Sequence, residues 1–431
     1  MIDFTRLARL ANLRERLQDH ARGNGADAHP AAAGSGVDRG ASQAALSTLM
    51  PGPLDVVVTP NEMNDLHGTG FLVKRVFSDQ RPILSLRIRD DYGGVHDFGA
   101  EAHRLDVDPA RRPEAYAAAL AAVAGRPVRA VYSIPYTAAD LLLAMAISDV
   151  TAAPLCLWEM DDQCVALPKI PRPLMREFLE KCRLRLATHA ELRDAYEAAF
   201  GLPFGVLPAV VPAGLVRPGV PSRAPAGAPG ALLGSVWSRA WLDQLAAVLS
   251  GAGETLDWYG NHQAPGLRLE AADLAAMPLR PHGVVAEPAL AEALLVHPFA
   301  VVPTDALDGP PTEITAIAQL SLPGRILFAV AAAQVPILVV GSDQTPAAAF
   351  VQRHGIGMVV PYESAAFRAA SAELRDPDVQ ARLRARAAAL APGLSDAGVE
   401  EWLRRSVEDG QPHDDRFERL FPREGPFPVR Q

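Results

Sequence analysis

The chain predicts an α/β protein with two domains, each a largely parallel sheet covered by helices on both faces. Three observations carry this: its length, two separate runs of strand–helix alternation, and a Pro/Gly-rich break between them. At 431 residues the chain is too long for one ordinary domain. Apolar runs of strand length alternate with helix-length segments from residue 54 onward, and such spacing implies parallel strands joined by helical crossovers. Residues 212–230 (PAGLVRPGVPSRAPAGAPG) are dominated by Pro, Gly and Ala, which suit neither a helix nor a central strand. The expected division is an N-terminal helix and loose linker (1–53), a first domain (54–211), the linker (212–230), a second domain (231–410) and a tail (411–431).

Residues 2–20 predict a helix with Ile2, Leu7, Leu10, Leu13 and Leu17 on one face and arginines elsewhere. Its apolar face suits packing on its own domain or peripheral contact with anionic lipid. Residues 22–52, rich in Gly, Ala, Ser and Asp, read as a loose linker. Strands are expected at 54–58, 82–88, 128–134, 154–160 and 184–188, with helices at 112–124, 137–149, 172–182 and 189–199 between them. After the break, strands are expected at 231–236, 255–260, 282–286, 299–303, 335–340 and 357–362. Helices are expected at 239–250, 288–296, 323–334, 345–354, 364–375, 378–391 and 395–408, with Phe417, Leu420 and Phe421 of the tail docked.

Hydrophobic residues make up 49% of the chain, enough for a sizeable core, and the formal charge of -9 argues against a general nucleic-acid binder. Cys156, Cys164 and Cys182 cannot all pair and lack zinc-site spacing, so reduced thiols and a cytoplasmic setting are expected. The first twenty residues are too charged for a signal peptide. The run 326–341 is broken by Gln334 and Pro336 and falls short of the roughly 18–20 residues of a membrane span.

Candidate chemistry sits at strand ends, where doubly wound sheets bind ligands. After the first strand, Gly68-Thr69-Gly70 either lets a ligand approach the backbone or simply makes a tight turn. Asp65 and His67 flank it as candidate bases, against a structural or solvated reading. Trp158-Glu159-Met160-Asp161-Asp162 ends another strand, and Asp161 is the third candidate base, unless the acids only cap a turn. Trp237, Ser238 and Arg239 open the first helix of the second half and suit a phosphate. Tyr259-Gly260 and Thr304-Asp305 end later strands; the tyrosine either stacks on a base or sugar or is buried. Glu313 either meets a sugar hydroxyl or caps a helix. Ser321-Leu322-Pro323-Gly324-Arg325 is expected at a helix start, with Ser321 as the cap and Arg325 adding positive charge for a diphosphate. No Gly-x-Ser-x-Gly elbow and no Walker loop is present.

In this order the motifs resemble those of GT-B-type glycosyltransferases of bacteria that build polysaccharides and glycans. Gly68-Thr69-Gly70 resembles their first glycine turn, Leu186 to Leu192 with Tyr196 the strand and helix before the linker, and Leu233 to Trp237 the opening of their nucleotide-binding domain. Ser321 to Arg325, with Gln334-Val335-Pro336-Ile337, resembles their Ser-Pro-x-Lys helix and Gly-x-Pro-Val/Ile turn. Arg325 stands for Lys, and Gln334 for Gly; a pair of glutamates seven residues apart, common in retaining members, is not evident. The resemblance implies two Rossmann-like αβα domains facing across a cleft and transfer of a sugar from a nucleotide-sugar donor to a glycan, lipid-linked or other acceptor. It also implies no resident cofactor and no metal, with the donor phosphates at Ser321 and Arg325. A nucleotide-sugar epimerase of the same fold and an inactive partner subunit are the alternatives; the oligomeric state stays open.

Overall fold

The computed structural model describes residues 53–429, apart from 66, 78–81, 220–223, 226, 237, 263–266, 268, 310–311, 424, 426 and 428. The helix expected at 2–20, the linker at 22–52 and Trp237 lie outside the described residues. The first half alternates β1 (Leu54–Thr59), α1 (Gly68–Val76), β2 (Ile83–Arg87), β3 (Glu101–Arg104), α2 (Arg112–Val123), β4 (Val128–Ser133), α3 (Ala138–Thr151), β5 (Leu155–Glu159), α4 (Arg172–Lys181), β6 (Cys182–Ala187), α5 (Ala190–Phe200) and β7 (Gly205–Val206). Its sheet has the order β3-β2-β1-β4-β5-β6-β7, and neighbouring strands are parallel.

The second half begins with β8 (Gly230–Leu233), α6 (Arg239–Ala252), β9 (Leu256–Tyr259), α7 (Ala271–Ala276), β10 (Leu279–Gly283), α8 (Glu287–Leu294) and β11 (Ala300–Pro303). It continues through α9 (Glu313–Gln319), α10 (Gly324–Phe328), β12 (Ile337–Val340), α11 (Pro346–His354), β13 (Gly357–Val360), α12 (Ser364–Arg375), α13 (Pro377–Leu390) and α14 (Val399–Asp409). The second sheet, also parallel, runs β10-β9-β8-β11-β12-β13. The expected pair of αβα units is therefore present.

The central strands form because helices cover both faces of each sheet. β1 (LDVVVT) and β12 (ILVV) are buried at every position, as a parallel strand between two helical layers requires. The edges follow other rules. β3 (EAHR) has no apolar pattern and is missed by sequence reading; it forms by pairing Glu101–Arg104 with Leu84–Arg87 at the sheet's rim. The strand expected at 282–286 lies earlier, at Leu279–Gly283, where Leu279 and Pro281 pair with Leu256 and Trp258. Val284, expected inside, is 78% exposed.

The segment around Ser321 departs most from expectation. The helix expected at 323–334 starts at Gly324 and changes into a π-helical turn at Ala329–Ala333. Ser321 is not its cap: Pro323 occupies that position with an extended backbone and no side-chain bond. The proline holds Leu322 out of the helical region, so the helix cannot begin at Ser321. Gln334 closes the π turn at φ 51, a left-handed conformation for which glycine is the usual residue. Its Nε2 donates to the Arg217 carbonyl at 3.1 Å, which ties the turn to the linker.

The two halves share buried apolar surface and ion pairs. One continuous cluster joins Val57, Met63 and Val210 of the first half to Val302, Phe328 and Val339 of the second. Leu320 inserts into the first half's own cluster, beside Ile170 and Cys164. Arg353 of α11 pairs with buried Glu191 of α5 at 2.7 Å, and Arg75 of α1 pairs with Glu287 of α8. The C-terminus crosses back to the first half: Arg183 of β6 donates to the Val407 carbonyl of α14, and fully buried Arg193 pairs with Glu418. Phe417 and Phe421 are buried, as expected. α14 packs in the cluster shared by the two halves and contacts β6 of the first sheet.

No single helix among the described residues is long and apolar enough to cross a membrane. The apolar stretch Ala329–Ala333 is instead fully buried core.

Candidate active site

Each sheet has one topological switch point, between β1 and β4 in the first and between β8 and β11 in the second. Ligands bind beyond the carboxyl ends of the strands at such points.

In the first half, three side chains from separate segments meet there. Tyr136, just after β4, donates its hydroxyl to Asp161 Oδ2 at 2.6 Å. The Thr69 hydroxyl lies 3.0 Å from the Tyr136 oxygen. A phenol has one proton, so Tyr136 gives it to the carboxylate and Thr69 donates to Tyr136. Asp161 Oδ1 has no hydrogen-bond partner among the described residues, so one carboxylate oxygen is anchored and the other is unpaired. Burial raises the Asp161 carboxyl above the usual carboxylate range; the Tyr136 hydrogen bond opposes this and the Asp162 charge adds to it.

The neighbouring acids divide the remaining work. Asp162 accepts four backbone amides, from Cys164, Val165, Ala166 and Leu167, and so shapes the loop after β5. Glu159 is fully buried, and burial, with the charges of Asp162 and Asp161, pushes its carboxyl well above the usual range, while its bond with Tyr196 opposes this. The Tyr196 hydroxyl lies 2.9 Å from Glu159 Oε1 and 3.0 Å from Asp162 Oδ1. The Tyr196 hydroxyl, which accepts the Gln163 amide at 3.3 Å, is thus a donor shared between the two acids, and Glu159 Oε2 is buried without a partner among the described residues.

Tyr136 is held at its backbone as well. Asp140 Oδ2 accepts the amides of Tyr136 (2.9 Å) and Thr137 (2.8 Å), as part of the capping box that starts α3. Burial pushes the Asp140 carboxyl up to about 6. The folded state therefore holds this proton more tightly than the unfolded chain. Its contribution to stability is full below about pH 4 and is lost as pH rises through about 6, an effect of about 3 kcal/mol. Asp140→Asn keeps an oxygen for the two amides and removes the titration. The variant's chemical-denaturation stability is expected to change less between pH 4 and 6 than that of the wild type, with its relative advantage growing toward pH 7.

The other two candidate bases are committed elsewhere, which corrects the sequence reading. Asp65 is 52% exposed at its side chain and pairs with Lys74 at 2.8 Å; the same ammonium bridges Asp97. His67 caps α1: its Nδ1 accepts from the Gly70 amide at 3.4 Å and its Nε2 donates to the Glu62 carbonyl at 2.7 Å. Its ring stacks on Tyr92 with centroids 4.4 Å apart, and burial lowers its pKa. Neither ring nitrogen is left for a substrate. Gly68, Thr69 and Gly70 form the first turn of α1 rather than a loop. A Cβ on Gly70 would lie 2.2 Å from the Asn64 carbonyl oxygen, so this glycine serves a close backbone approach within the protein.

In the second half, Arg325 dominates the switch point. Its Nη1 donates to the Leu233 carbonyl at 3.0 Å and also to the Ser235 carbonyl, at the end of β8. Among the described residues its enclosed Nε has no partner, its Nη2 is unpaired, and no carboxylate pairs with it. Burial lowers its pKa to about 10, which leaves it charged at neutral pH. A desolvated cation without a counter-ion is costly to hold and suits an anionic ligand. Tyr362, after β13, flanks it and donates to the Thr304 carbonyl at 2.8 Å. Burial also raises the Tyr362 pKa. Sequence reading missed both Tyr136 and Tyr362; the only signal was an aromatic just beyond a strand's end.

Gly234, at φ 71, curves beneath the guanidinium, and a Cβ there would lie 2.9 Å from Arg325 Nη1. Gly260 lies against it, with a would-be Cβ 2.1 Å from the Gly234 carbonyl oxygen, so the loops after β8 and β9 pack together. Tyr259 is engaged inside the fold, stacked on His282 at 4.6 Å with its hydroxyl 3.0 Å from His297 Nε2. Asp305 accepts from Trp241 Nε1, the Thr315 hydroxyl and the Leu307 amide, which pins the loop after β11. Ser238 caps α6 by accepting from the Trp241 amide. Arg239 corrects its expected phosphate role: it folds along its own helix to Asp243 at 2.7 Å and reaches Asp273 at 3.2 Å.

Ser321 is 7% exposed and makes no hydrogen bond to the described residues, Leu322 packs on the cluster shared by the two halves, and Gly324 faces Ala209. Glu313 opens α9 and pairs with Lys169 of the loop after β5 at 2.5 Å. This bridge and buried Leu320 bring the loop carrying Asp161 against the segment that leads to Arg325. Asp161 and Arg325 thus sit on segments that the Lys169–Glu313 bridge and Leu320 link across the two halves. A separate cavity of about 620 Å³ lies by the short strand β7 and the tail, lined by Phe204, Pro412 and Arg423 among others, at the sheet edge away from the switch point. Among the described residues, no three His, Cys, Asp or Glu side chains converge as metal ligands.

No family model matches the chain, and no curated protein matches it in sequence. Solved structures match its fold. Sucrose-phosphate synthase from Thermosynechococcus elongatus matches with a TM-score of 0.61 at 13% identity, over 83% of this chain and 98% of the other. Anabaena HepE, solved with UDP, gives 0.58 at 12% identity over 83% and 100%. MurG of Acinetobacter baumannii gives 0.50 at 12% identity over 83% and 100%. The chain has the GT-B fold: two Rossmann-like domains, each a parallel sheet with one switch point.

Proposed function

We propose that this protein is a glycosyltransferase that moves a sugar from a nucleotide-sugar donor to a hydroxyl of a glycan or lipid-linked acceptor. The observation that carries this reading is Arg325, a charged, largely buried guanidinium with no counter-ion at the second sheet's switch point. A diphosphate supplies the missing charge, and its departure in the reaction is where fixed positive charge helps most. Asp161, across the cleft, acts as the base that takes the acceptor's proton as the new glycosidic bond forms. A base opposite the leaving group fits direct displacement, with inversion at the sugar carbon. Uridine diphosphate is the first donor nucleotide to test, because the solved HepE neighbour carries UDP.

Arginine and backbone dipoles neutralise the leaving group in this reading, so no metal is required. A thermal-shift screen of uridine, guanosine and adenosine diphosphates and their sugars tests it. One nucleotide class is expected to raise Tm, equally with and without EDTA, since a ligand bound only by the folded state stabilises it. No shift with any of them would count against the proposal.

A further inference from the structure

Tyr136 has a part beyond packing. Three segments fix it: Asp140 holds its backbone amide, Asp161 accepts its proton, and Thr69 donates to its oxygen. The phenol lies in a site where burial raises its own pKa, so at neutral pH it stays a donor. We propose that Tyr136 is a positioning residue, with Thr69 behind it, that aims Asp161 Oδ1 into the cleft and keeps this carboxylate ionised against burial. The inference rests on the reading of Asp161 as the base.

The groups facing Asp161 act in opposite directions. Burial and the Asp162 charge favour its protonated form, while the Tyr136 hydrogen bond favours the carboxylate. Glu159 also faces this group, and the Asp161 charge is one of the influences that raise its carboxyl. Thr69, by donating to the phenol oxygen, directs the phenol's proton to Asp161 and strengthens that bond. Removing the phenol hydroxyl leaves the opposing influences without their counterweight, and the Asp161 midpoint must rise.

The test reads this midpoint directly. The carboxyl carbons of aspartate are labelled with carbon-13 in the full chain, Asp161 is assigned by the signal lost in Asp161→Asn, and its titration is followed by NMR. Tyr136→Phe, which keeps the ring and its packing, is expected to raise the Asp161 midpoint by about 1 pH unit, as expected for one hydrogen bond to a charged group. Thr69→Val is expected to raise it by less. An unchanged or lowered midpoint in Tyr136→Phe, with the fold intact by circular dichroism, overturns the inference. Nucleotide binding is measured on the same samples. Its absence would undo the transferase reading while leaving the Tyr136–Asp161 coupling measured, so the two failures are distinguishable.

Discussion

Asp161→Asn is expected to abolish sugar transfer, lowering kcat by about 10²- to 10⁴-fold, while nucleotide affinity stays at the wild-type value. The asparagine keeps an oxygen for the Tyr136 hydroxyl, now 2.6 Å from Asp161, so the loop after β5 has no reason to move. What disappears is the carboxylate proposed to accept the proton. The neighbours are engaged within the fold: Glu159 is fully buried and bonded to Tyr196, and Asp162 is wrapped by four backbone amides. Tm is expected to hold or rise, because an amide in place of a largely buried carboxylate avoids the cost of burying charge. The wild type loses activity as pH falls through the raised Asp161 midpoint, and this acid limb vanishes from the residual activity of the variant. Steady-state kinetics across pH, with Tm measured alongside, would check all three points. A variant that folds and retains full turnover would remove Asp161 from the reaction.

Arg325→Met is expected to weaken nucleotide diphosphate binding by about 10- to 100-fold, the loss of one or two charge-assisted hydrogen bonds. Its effect on the free protein should be small. The guanidinium gives up two bonds to the Leu233 and Ser235 carbonyls, but an enclosed Nε without a partner and an uncompensated charge go with it. Replacing a buried charged group by an apolar one of similar length is often neutral or stabilising. An arginine kept for structure would behave in the opposite way, with a large fall in Tm and unchanged affinity. Arg239→Met is the internal comparison. Its guanidinium is taken up by Asp243 and Asp273 on the outer face of α6, so nucleotide affinity should not change.

The contrast between these two arginines shows what the sequence could reveal. Asp243 stands one helical turn after Arg239, a spacing that already favours an ion pair along a helix. Arg325 has no such neighbour one turn away along its own helix, and the sequence offers it no acidic partner. The helix expected at 323–334 begins at Gly324, with Pro323 and not Ser321 at the capping position. The central strands were legible because burial on both faces leaves unbroken apolar runs, as in β1 and β12. Edge strands such as β3 carry no such pattern, since their rim is set by pairing and not by burial.

The base was only partly legible. The Trp158 to Asp162 run drew attention because three acids end one strand, but Asp65 and His67 looked equally suitable. What separates them is contact that only the fold creates. Lys74 and the Glu62 carbonyl engage Asp65 and His67 within a short stretch of chain, while Tyr136 reaches Asp161 from another strand and Thr69 lies 67 residues from Tyr136. No periodicity in the sequence records that meeting.

Calorimetric titration of the full chain with uridine, guanosine and adenosine diphosphates, in parallel on wild type and Arg325→Met, tests the central claim most directly. Saturable one-to-one binding of one nucleotide to the wild type, reduced at least tenfold in a variant of unchanged Tm, is the predicted result. Absence of binding by all three to the wild type, or equal affinity in the two proteins, would contradict it.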